Sequence, residues 1–309
     1  MPGKVCLDAP SFGVALKSPD FERGMVIKMK YIFLDIDGTL FDHSKNAIPE
    51  SAYRGVELAR EAGHKIFICT GRSCCLLDHV KDIKYDGVIA AAGAYARVGE
   101  KVIYEDIMPE EELQPALEYC LSKGVSYVME GRTGVYMHRD IQDYFAGRKD
   151  GESGREFFRQ KTVHGMDAYD PEKEVIYKFC LYAEDEKSLQ EIEEHYKDKY
   201  QFVCSIPGKE KMHNVEVLSM RNNKAGGIRK IMNYLGGSME DTVAIGDSLN
   251  DLEMIQECGI GIVMGNGDER LKPYADFITA DIGDDGLFRA LEHYGLTAPG
   301  KEWHQTGID

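Results

Sequence analysis

The sequence has no apolar run close to the roughly 18 residues that a membrane span needs. Its N-terminal stretch also lacks the long apolar centre of a secretory signal. We therefore expect a cytoplasmic protein with no membrane partner. Residues 1–28 show no hydrophobic period and are expected to form an N-terminal extension outside the folded part, unless translation begins at Met29.

Positive charge is scarce relative to negative charge. The chain has 37 Lys and Arg residues against 53 Asp and Glu residues, which gives a formal net charge of −16. A surface of this sign repels nucleic acids and anionic membranes, so we expect no nucleic-acid partner. A small phosphorylated metabolite is still compatible, because a metal ion and a few cationic side chains can reverse the field within one pocket.

The eight cysteines contain no CxxC pair, and the nine histidines show no spacing typical of metal ligands. Most of the cysteines lie in apolar runs, where a free thiol behaves as a small hydrophobic side chain. These patterns argue against a disulfide framework and against a zinc site, and they favour buried, reduced thiols.

Two parts of the chain alternate apolar strands with helices. The first part has a strand at 31–34, a helix near 51–62 and a strand at 65–69. The second part has a helix near 224–235 and a strand at 242–245. This alternation is typical of an α/β fold with a doubly wound, mainly parallel, Rossmann-like core sheet and helices on both faces.

Between these two parts the pattern changes. Neighbouring strands joined by short links, with helices grouped between them, indicate a separate α+β domain at 109–206. We therefore expect a discontinuous core domain, built from 29–108 and 207–296, that is interrupted by the second domain. A tail at 297–309 has no readable pattern.

Polar clusters directly follow three of the predicted core strands. They lie at 35–39, 70–72 and 246–251. In an open parallel sheet the carboxyl ends of the strands share one edge, where ligands bind. Residues far apart in the sequence are therefore expected to meet there, and Lys224, at the start of a helix, can join them.

These clusters are rich in hard oxygen ligands. The carboxylates concerned are Asp35, Asp37, Asp247 and Asp251. No cluster offers the Cys and His side chains that zinc prefers, so Mg²⁺ is the cation that this set favours.

The same residues suit phosphoryl transfer. Asp35 can attack phosphorus and form an aspartyl phosphate, while Mg²⁺ and Lys224 offset the repulsion between the two anions. Thr70 can donate its hydroxyl to a phosphate oxygen. Asp37 can protonate the leaving oxygen and later deprotonate the attacking water. Gly38 lets the backbone turn closely past the phosphate.

The residues expected to contact the phosphate form one set: Gly38, Thr70, Gly71, Arg72 and Lys224. For Arg72 two interpretations stay open. Its guanidinium can touch the substrate, or it can pair with an acidic residue of the core domain.

At these residues the chain resembles the haloacid dehalogenase superfamily of phosphotransferases. The motifs DIDGT at 35–39, TGR at 70–72, Lys224 and GDSLND at 246–251 occur in the order typical of that superfamily. The likeness covers about 31–294. The insertion is placed like the cap of the Cof-type subfamily, whose caps are α+β and close over the substrate.

The resemblance implies that Asp35 is the nucleophile and Asp37 the acid/base. It also implies that Mg²⁺ is held by the Asp35 carboxylate, the Asp37 backbone carbonyl and Asp247. Asn250 or Asp251 would support this metal site. An acid at Asp37 favours hydrolysis of a phosphate ester.

We therefore predict a Mg²⁺-dependent phosphatase that hydrolyses small soluble phosphate monoesters, such as a sugar phosphate or a phosphorylated cofactor, through an aspartyl-phosphate intermediate. Two alternatives stay open: a phosphomutase of the same superfamily, and a catalytically idle phosphate-binding regulatory protein. One departure is Ala92-Gly93, where relatives usually have Asn-Gly, and it affects a polar contact near the cap. No motif indicates an oligomeric state.

Overall fold

The computed structural model describes residues 28–146, 161–204 and 212–298. Except for Lys28 at one end and residues 297–298 at the other, the expected N-terminal extension and tail lie outside these ranges. No helix within them has both the length and the apolar character that a membrane span requires.

The described residues form two β-sheets and seven α-helices. The helices are α1 (Glu50–Glu61), α2 (Glu110–Ser122), α3 (Arg139–Ala146), α4 (Glu186–Tyr196), α5 (Lys224–Leu235), α6 (Leu252–Glu257) and α7 (Gly286–His293).

The first sheet has eight strands. From one edge to the other they are β14 (Phe277–Ile278), β13 (Ile260–Val263), β12 (Thr242–Gly246), β1 (Tyr31–Leu34), β2 (Lys65–Cys69), β3 (Gly87–Ala90), β4 (Tyr95–Val98) and β5 (Lys101–Glu105). Strands β14 to β3 are parallel, and β4 and β5 add an antiparallel hairpin. The predicted mainly parallel α/β sheet is therefore confirmed, although sequence patterning gave no sign of the hairpin.

Helices cover both faces of this eight-stranded sheet because its central strands are apolar on both sides. Ile32 and Leu34 pack in one cluster with α1 and α7. Phe33, which points to the other side of the same strand, packs in a second cluster with α5 and α6. An uninterrupted apolar strand of this kind is typical of a doubly wound sheet, and its polar residues come only where the strand ends.

The second sheet has six strands. In spatial order they are β10 (Tyr200–Cys204), β11 (His213–Ser219), β9 (Ile176–Ala183), β6 (Ser126–Gly131), β7 (Val135–Met137) and β8 (Val163–Gly165). Only the β7–β8 pair is parallel among these described strands. The strand β11 shows that the expected return to the core at residue 207 was placed too early, because residues 213–219 pair within the six-stranded sheet.

The two faces of the six-stranded sheet differ in what they contact. One face packs on α2 and α4 in a separate apolar cluster. The other face packs on α3 and also on Leu76, which lies in the segment after β2 of the eight-stranded sheet. This second face is therefore turned toward the carboxyl edge of the eight-stranded sheet.

The two chain segments that connect the sheets are hydrogen-bonded to each other. The Asp106 carboxylate, just after β5, accepts hydrogen bonds from Arg221 at 2.7 and 3.1 Å and from Asn222 at 2.6 Å. Both donors lie between β11 and α5. The six-stranded sheet is thus held against the core at a short, polar junction.

Candidate active site

Three carboxylates meet at the carboxyl edge of the eight-stranded sheet. Asp35 follows β1, and Asp247 and Asp251 lie in the loop after β12, which is the parallel neighbour of β1. One oxygen from each of the three lies within 4.8 Å of the others, and this is the acidic group that could hold a metal within the described residues. The sheet topology therefore brings together side chains that are more than 200 positions apart.

Lys224 is the cation at the centre of this group. It is only 1% exposed and is the first residue of α5, whose N-terminus is capped by the Asn223 side chain. Its Nζ donates to Asp35 Oδ1 at 2.7 Å, to Asp251 Oδ1 at 2.5 Å and to Asn250 Oδ1 at 3.1 Å. One ammonium thus fixes the Asp35 carboxylate relative to the loop after β12.

Asp251 is fully buried, and both of its oxygens are engaged. Oδ1 binds Lys224, and Oδ2 accepts from the backbone N–H groups of Asp247 and Ser248, each at 3.0 Å. Taken alone, Asp251 fits a loop or helix cap, and the structure gives it such a capping contact in addition to the contact with Lys224. Asp251 is therefore better placed to shape the loop than to bind a ligand directly.

The charge in this cluster is not balanced by the protein. Burial raises the pKa of Asp35, Lys224 opposes that rise, and the neighbouring carboxylates of Asp251, Asp247 and Asp37 add to it. Burial and the charge of Asp251 likewise raise the pKa of Asp247 to about 7. Crowded carboxylates with raised pKa values and an all-oxygen donor set fit a hard divalent cation.

Gly38 is required where it stands. Its φ is +81°, which favours glycine, and a β-carbon there would collide with the Asp247 carboxylate. Thr39, the next residue, donates its hydroxyl to Asp247 Oδ1 at 3.2 Å. The turn after β1 therefore positions Asp247 as well as Asp35.

Asp37 is paired with Arg72. The guanidinium donates from Nε to Asp37 Oδ2 at 2.8 Å and from Nη2 to Oδ1 at 2.5 Å, and His43 Nε2 lies 2.7 Å from Oδ1. Although burial opposes ionisation, the hydrogen bonds from Arg72 and His43 hold the pKa of Asp37 well below its usual range. Of the two interpretations of Arg72, this structure shows the pairing with an acid of the core.

Thr70 and Gly71 complete the edge. The Thr70 side chain is buried, and its hydroxyl oxygen accepts from the Arg72 N–H at 3.1 Å, so the hydroxyl proton can point to a ligand. A β-carbon built on Gly71 would lie 3.5 Å from Asn250 Nδ2. The segment after β2 thus faces the loop after β12 at close range.

Sequence reasoning missed some residues that the structure places at this edge. His43 binds Asp37, and Asn266 donates from Nδ2 to the Gly38 carbonyl at 2.8 Å. No local pattern marks His43, and Asn266 lies within the span of the resemblance but outside its four motifs. Ala92, at the departure from that resemblance, has φ +51° and ψ +38°, a left-handed conformation that suits Asn better than Ala.

Comparison with known proteins agrees with this geometry. Residues 32–291 match the model of the haloacid dehalogenase-like hydrolases. A Bacillus subtilis (strain 168) protein named "Putative phosphatase YkrA" is 32% identical over 271 residues, which cover 86% of this chain and 98% of that protein. In the same organism, 5-amino-6-(5-phospho-D-ribitylamino)uracil phosphatase YwtE is 26% identical over 283 residues, which cover 84% of this chain and 96% of that protein.

A solved structure supports the same relationship. The HAD subclass IIB sugar phosphatase BT4131 superposes with a TM-score of 0.72 at 27% identity, and the match covers 87% of this chain and 100% of that one. The chain therefore belongs to the haloacid dehalogenase-like hydrolase family, and the enzyme class and the Cof-type resemblance predicted from its motifs are confirmed.

Proposed function

We propose that this protein is a Mg²⁺-dependent phosphatase that hydrolyses small phosphate monoesters through an aspartyl phosphate on Asp35. The observation that carries the proposal is the contact between Lys224 and the buried Asp35, within a cluster of carboxylates that the protein leaves short of positive charge. A buried carboxylate among other carboxylates suits attack on an anionic group only when cations are close to it.

Asp35 and Asp247 would hold the metal, with the Asp37 backbone carbonyl as a further oxygen ligand. Asp251 and Asn250 support the site indirectly, because their oxygens already bind Lys224 and the loop backbone. When bound, Mg²⁺ supplies positive charge that draws the phosphate toward Asp35 and stabilises charge on the phosphate oxygens.

In the first step an Asp35 oxygen attacks phosphorus, and the bond between phosphorus and the ester oxygen breaks. Lys224 keeps the Asp35 carboxylate oriented, and the Thr70 hydroxyl donates to a phosphate oxygen. Asp37 delivers a proton to the leaving oxygen, which departs as an alcohol. To do so, Asp37 has to exchange its contact with Arg72 for one with the leaving group and take up a proton as substrate binds, because a carboxylate paired with a guanidinium stays ionised and has no proton to give.

In the second step water attacks phosphorus and the bond between phosphorus and Asp35 breaks. Asp37, now ionised, takes the proton from that water. Inorganic phosphate leaves, and both carboxylates return to their starting state. The residue that acted as the acid in one step thus acts as the base in the next.

We further propose that the six-stranded sheet and helices α2–α4 act as a cap over this edge. The contact of Leu76 with one face of that sheet supports the assignment. Closure would exclude bulk water until substrate is bound.

Relatives named for a ribityl phosphate and for sugar phosphates support a small phosphorylated metabolite as substrate. Free thiols at Cys69, Cys74 and Cys75 agree with a cytoplasmic location.

The test is release of inorganic phosphate from a panel of small phosphate esters, with Mg²⁺ and with EDTA. We expect release that depends on the metal and is restored when Mg²⁺ is added back. If the folded, metal-loaded protein turned one phosphate isomer into another and released no phosphate, the phosphomutase would replace this proposal. If it did neither, the protein would be a binding protein.

A further inference from the structure

A second buried lysine lies on the six-stranded sheet, between two carboxylates. Lys178 is 2% exposed, and its Nζ lies 3.4 Å from Glu130 Oε2 and 3.1 Å from Glu216 Oε2. We call these residues the Glu130–Lys178–Glu216 triad. Glu130 and Lys178 are direct partners across β6 and β9, and Glu216 lies on the neighbouring strand β11.

The triad lies on the face of the six-stranded sheet that is turned toward the core. Alternation along β6 places Glu130 on the same face as Val128, and Val128 belongs to the cluster that contains Leu76 of the core. Pairing across the strands puts Lys178 and Glu216 on that face too. The opposite face is filled by the apolar residues that pack on α2 and α4.

Two observations place the triad near the edge that holds the Asp35 cluster. A β-carbon built on Gly71 would lie 4.0 Å from Glu216 Oε2, the oxygen that also binds Lys178. Glu130 is close enough to Arg72 for its charge to act on the guanidinium, although Asp37 acts on it more strongly. The triad and the Asp35 cluster therefore face one space from opposite sides.

One carboxylate oxygen of the triad has no hydrogen-bond donor in the part of the chain that the structure describes. Within the described residues Glu130 Oε2 is buried and accepts no hydrogen bond, since Lys178 at 3.4 Å is within ion-pair range only. A buried carboxylate oxygen without a donor is costly, and a substrate hydroxyl that enters beside the more exposed Glu216 and displaces the groups covering Glu130 would remove that cost. The triad also carries two negative charges and one positive charge, so its net charge is negative.

We propose that the Glu130–Lys178–Glu216 triad is a specificity site for the leaving group of the phosphate ester. It selects esters of neutral polyols, whose hydroxyls can donate to the two carboxylates and accept from Lys178. It rejects esters whose leaving group carries a second anion, because that anion would meet a net negative charge. This inference rests on the proposed phosphatase function.

The experiment measures kcat and KM with three esters: sorbitol 6-phosphate, which carries a polyol, phosphoglycolate, which carries a carboxylate as its second anion, and p-nitrophenyl phosphate, which carries no hydroxyl. For the wild type we expect kcat/KM to be at least about tenfold higher for sorbitol 6-phosphate than for phosphoglycolate, since a hydrogen bond to a charged group changes specificity by about that factor or more.

Glu216→Gln is the main variant, because Glu216 is partly exposed and the substitution keeps its shape. It makes the triad neutral, so the ratio of kcat/KM for sorbitol 6-phosphate to that for phosphoglycolate should fall about tenfold, mainly through KM. Lys178→Met should lower kcat/KM for sorbitol 6-phosphate about tenfold and affect p-nitrophenyl phosphate far less. The matched controls are Glu194→Gln and Lys187→Met, at exposed positions of α4.

The outcomes separate the two proposals. If Glu216→Gln changed kcat/KM for all three esters by one common factor, the triad would have a structural role only and the inference would be wrong. A wild-type preference for phosphoglycolate would also overturn it. If the wild type released no phosphate even from p-nitrophenyl phosphate, the proposed function would fail and the inference would fall with it.

Discussion

The two sheets use buried lysines in the same way but from different parts of the strand. At the eight-stranded sheet, Lys224, the first residue of α5, binds Asp35 and Asp251, which lie beyond the ends of β1 and β12. In the six-stranded sheet, Lys178 lies between Glu130 and Glu216, and all three lie on the strands themselves. Parallel strands have apolar residues on both faces, so polar residues gather at their ends, whereas an antiparallel sheet can present a polar face.

This difference suggests that the edge of the eight-stranded sheet and the face of the six-stranded sheet have different roles. The edge of a parallel sheet is rigid and hidden, which suits chemistry that must be the same for every substrate. On the face of the six-stranded sheet one side chain can be replaced without moving the backbone, which suits recognition of the part of the substrate that differs. If this is correct, substitutions at the edge should affect all esters, and substitutions on the face should affect only some.

The largest effect is expected for Asp35→Asn, which removes the proposed nucleophile. Turnover of every ester should fall by about 10⁴-fold or more, because the amide cannot form the aspartyl phosphate. The fold should persist, because Asn fits the volume of Asp35 and relieves crowding among carboxylates. Phosphate release and thermal unfolding check these two expectations, with exposed Asp82→Asn as the control. Activity near the wild-type level would rule out the proposed mechanism.

The comparison between the lysines is tested by Lys224→Met beside Lys178→Met. Loss of Lys224 should lower kcat/KM by about 10³-fold for every ester, because the phosphate loses a cation in a buried site. Loss of Lys178 should depend on the leaving group. Steady-state kinetics on the same ester panel, with circular dichroism to verify folding, gives the answer. If both variants lost kcat/KM by the same factor for every ester, the edge of the eight-stranded sheet and the face of the six-stranded sheet would not have different roles.

Asp247→Asn tests the metal site by a readout other than turnover. Saturating Mg²⁺ should raise the Tm of the wild type by about 5 °C, since a ligand that binds the folded state alone stabilises it. This shift should largely disappear in Asp247→Asn, and kcat/KM should fall about 100-fold. Differential scanning calorimetry with and without Mg²⁺ makes the measurement. An unchanged Mg²⁺ shift in the variant would remove Asp247 from the ligand set.

Glu174→Gln tests a buried carboxylate of the six-stranded part that is away from the chemistry. Glu174 accepts from the backbone N–H groups of Arg132 and Thr133 and from the Tyr136 hydroxyl. We expect a loss of about 2 kcal/mol in the free energy of unfolding, because charge-assisted hydrogen bonds are weakened. Turnover of p-nitrophenyl phosphate should stay within about twofold.

Urea unfolding measures the loss, and exposed Glu172→Gln is the matched control. A large loss of turnover without a loss of stability would mean that Glu174 has a part in the site.

The smallest expected effect is a difference in the free energy of unfolding between alanine substitutions at two glycines with positive φ in the eight-stranded part. Gly93 has φ +97°, and a β-carbon there would collide with the Asn223 backbone carbonyl at the start of α5. Gly99 has φ +53° and open space around its Cα. Gly93→Ala should therefore cost about 2 kcal/mol and Gly99→Ala about 1 kcal/mol. Equal costs by thermal unfolding would show that the contact with Asn223 gives way easily.

The sequence predicted which side chains meet at this edge because the ends of parallel strands carry local motifs, while the catalytic roles of these residues stay a prediction. Apolar strands that end in acids, a Thr-Gly-Arg and a helix-starting lysine are local signals, and sheet order then brings Asp35, Lys224 and Asp247 together. The sequence did not predict that Arg72 binds Asp37 or that His43 joins them, since a single Arg or His has many possible partners. It also missed the hairpin β4–β5, whose short strands have no strong period.

The sequence by itself therefore determined the family, the α/β core and the composition of the acidic edge, because these depend on residue types that occur next to strand ends. Only the tertiary structure decided that β11 belongs to the six-stranded sheet and that Lys178 lies between Glu130 and Glu216. Those facts depend on which strands pair and in what register, and a one-residue shift of any one of these strands would turn its member of the triad to the opposite face.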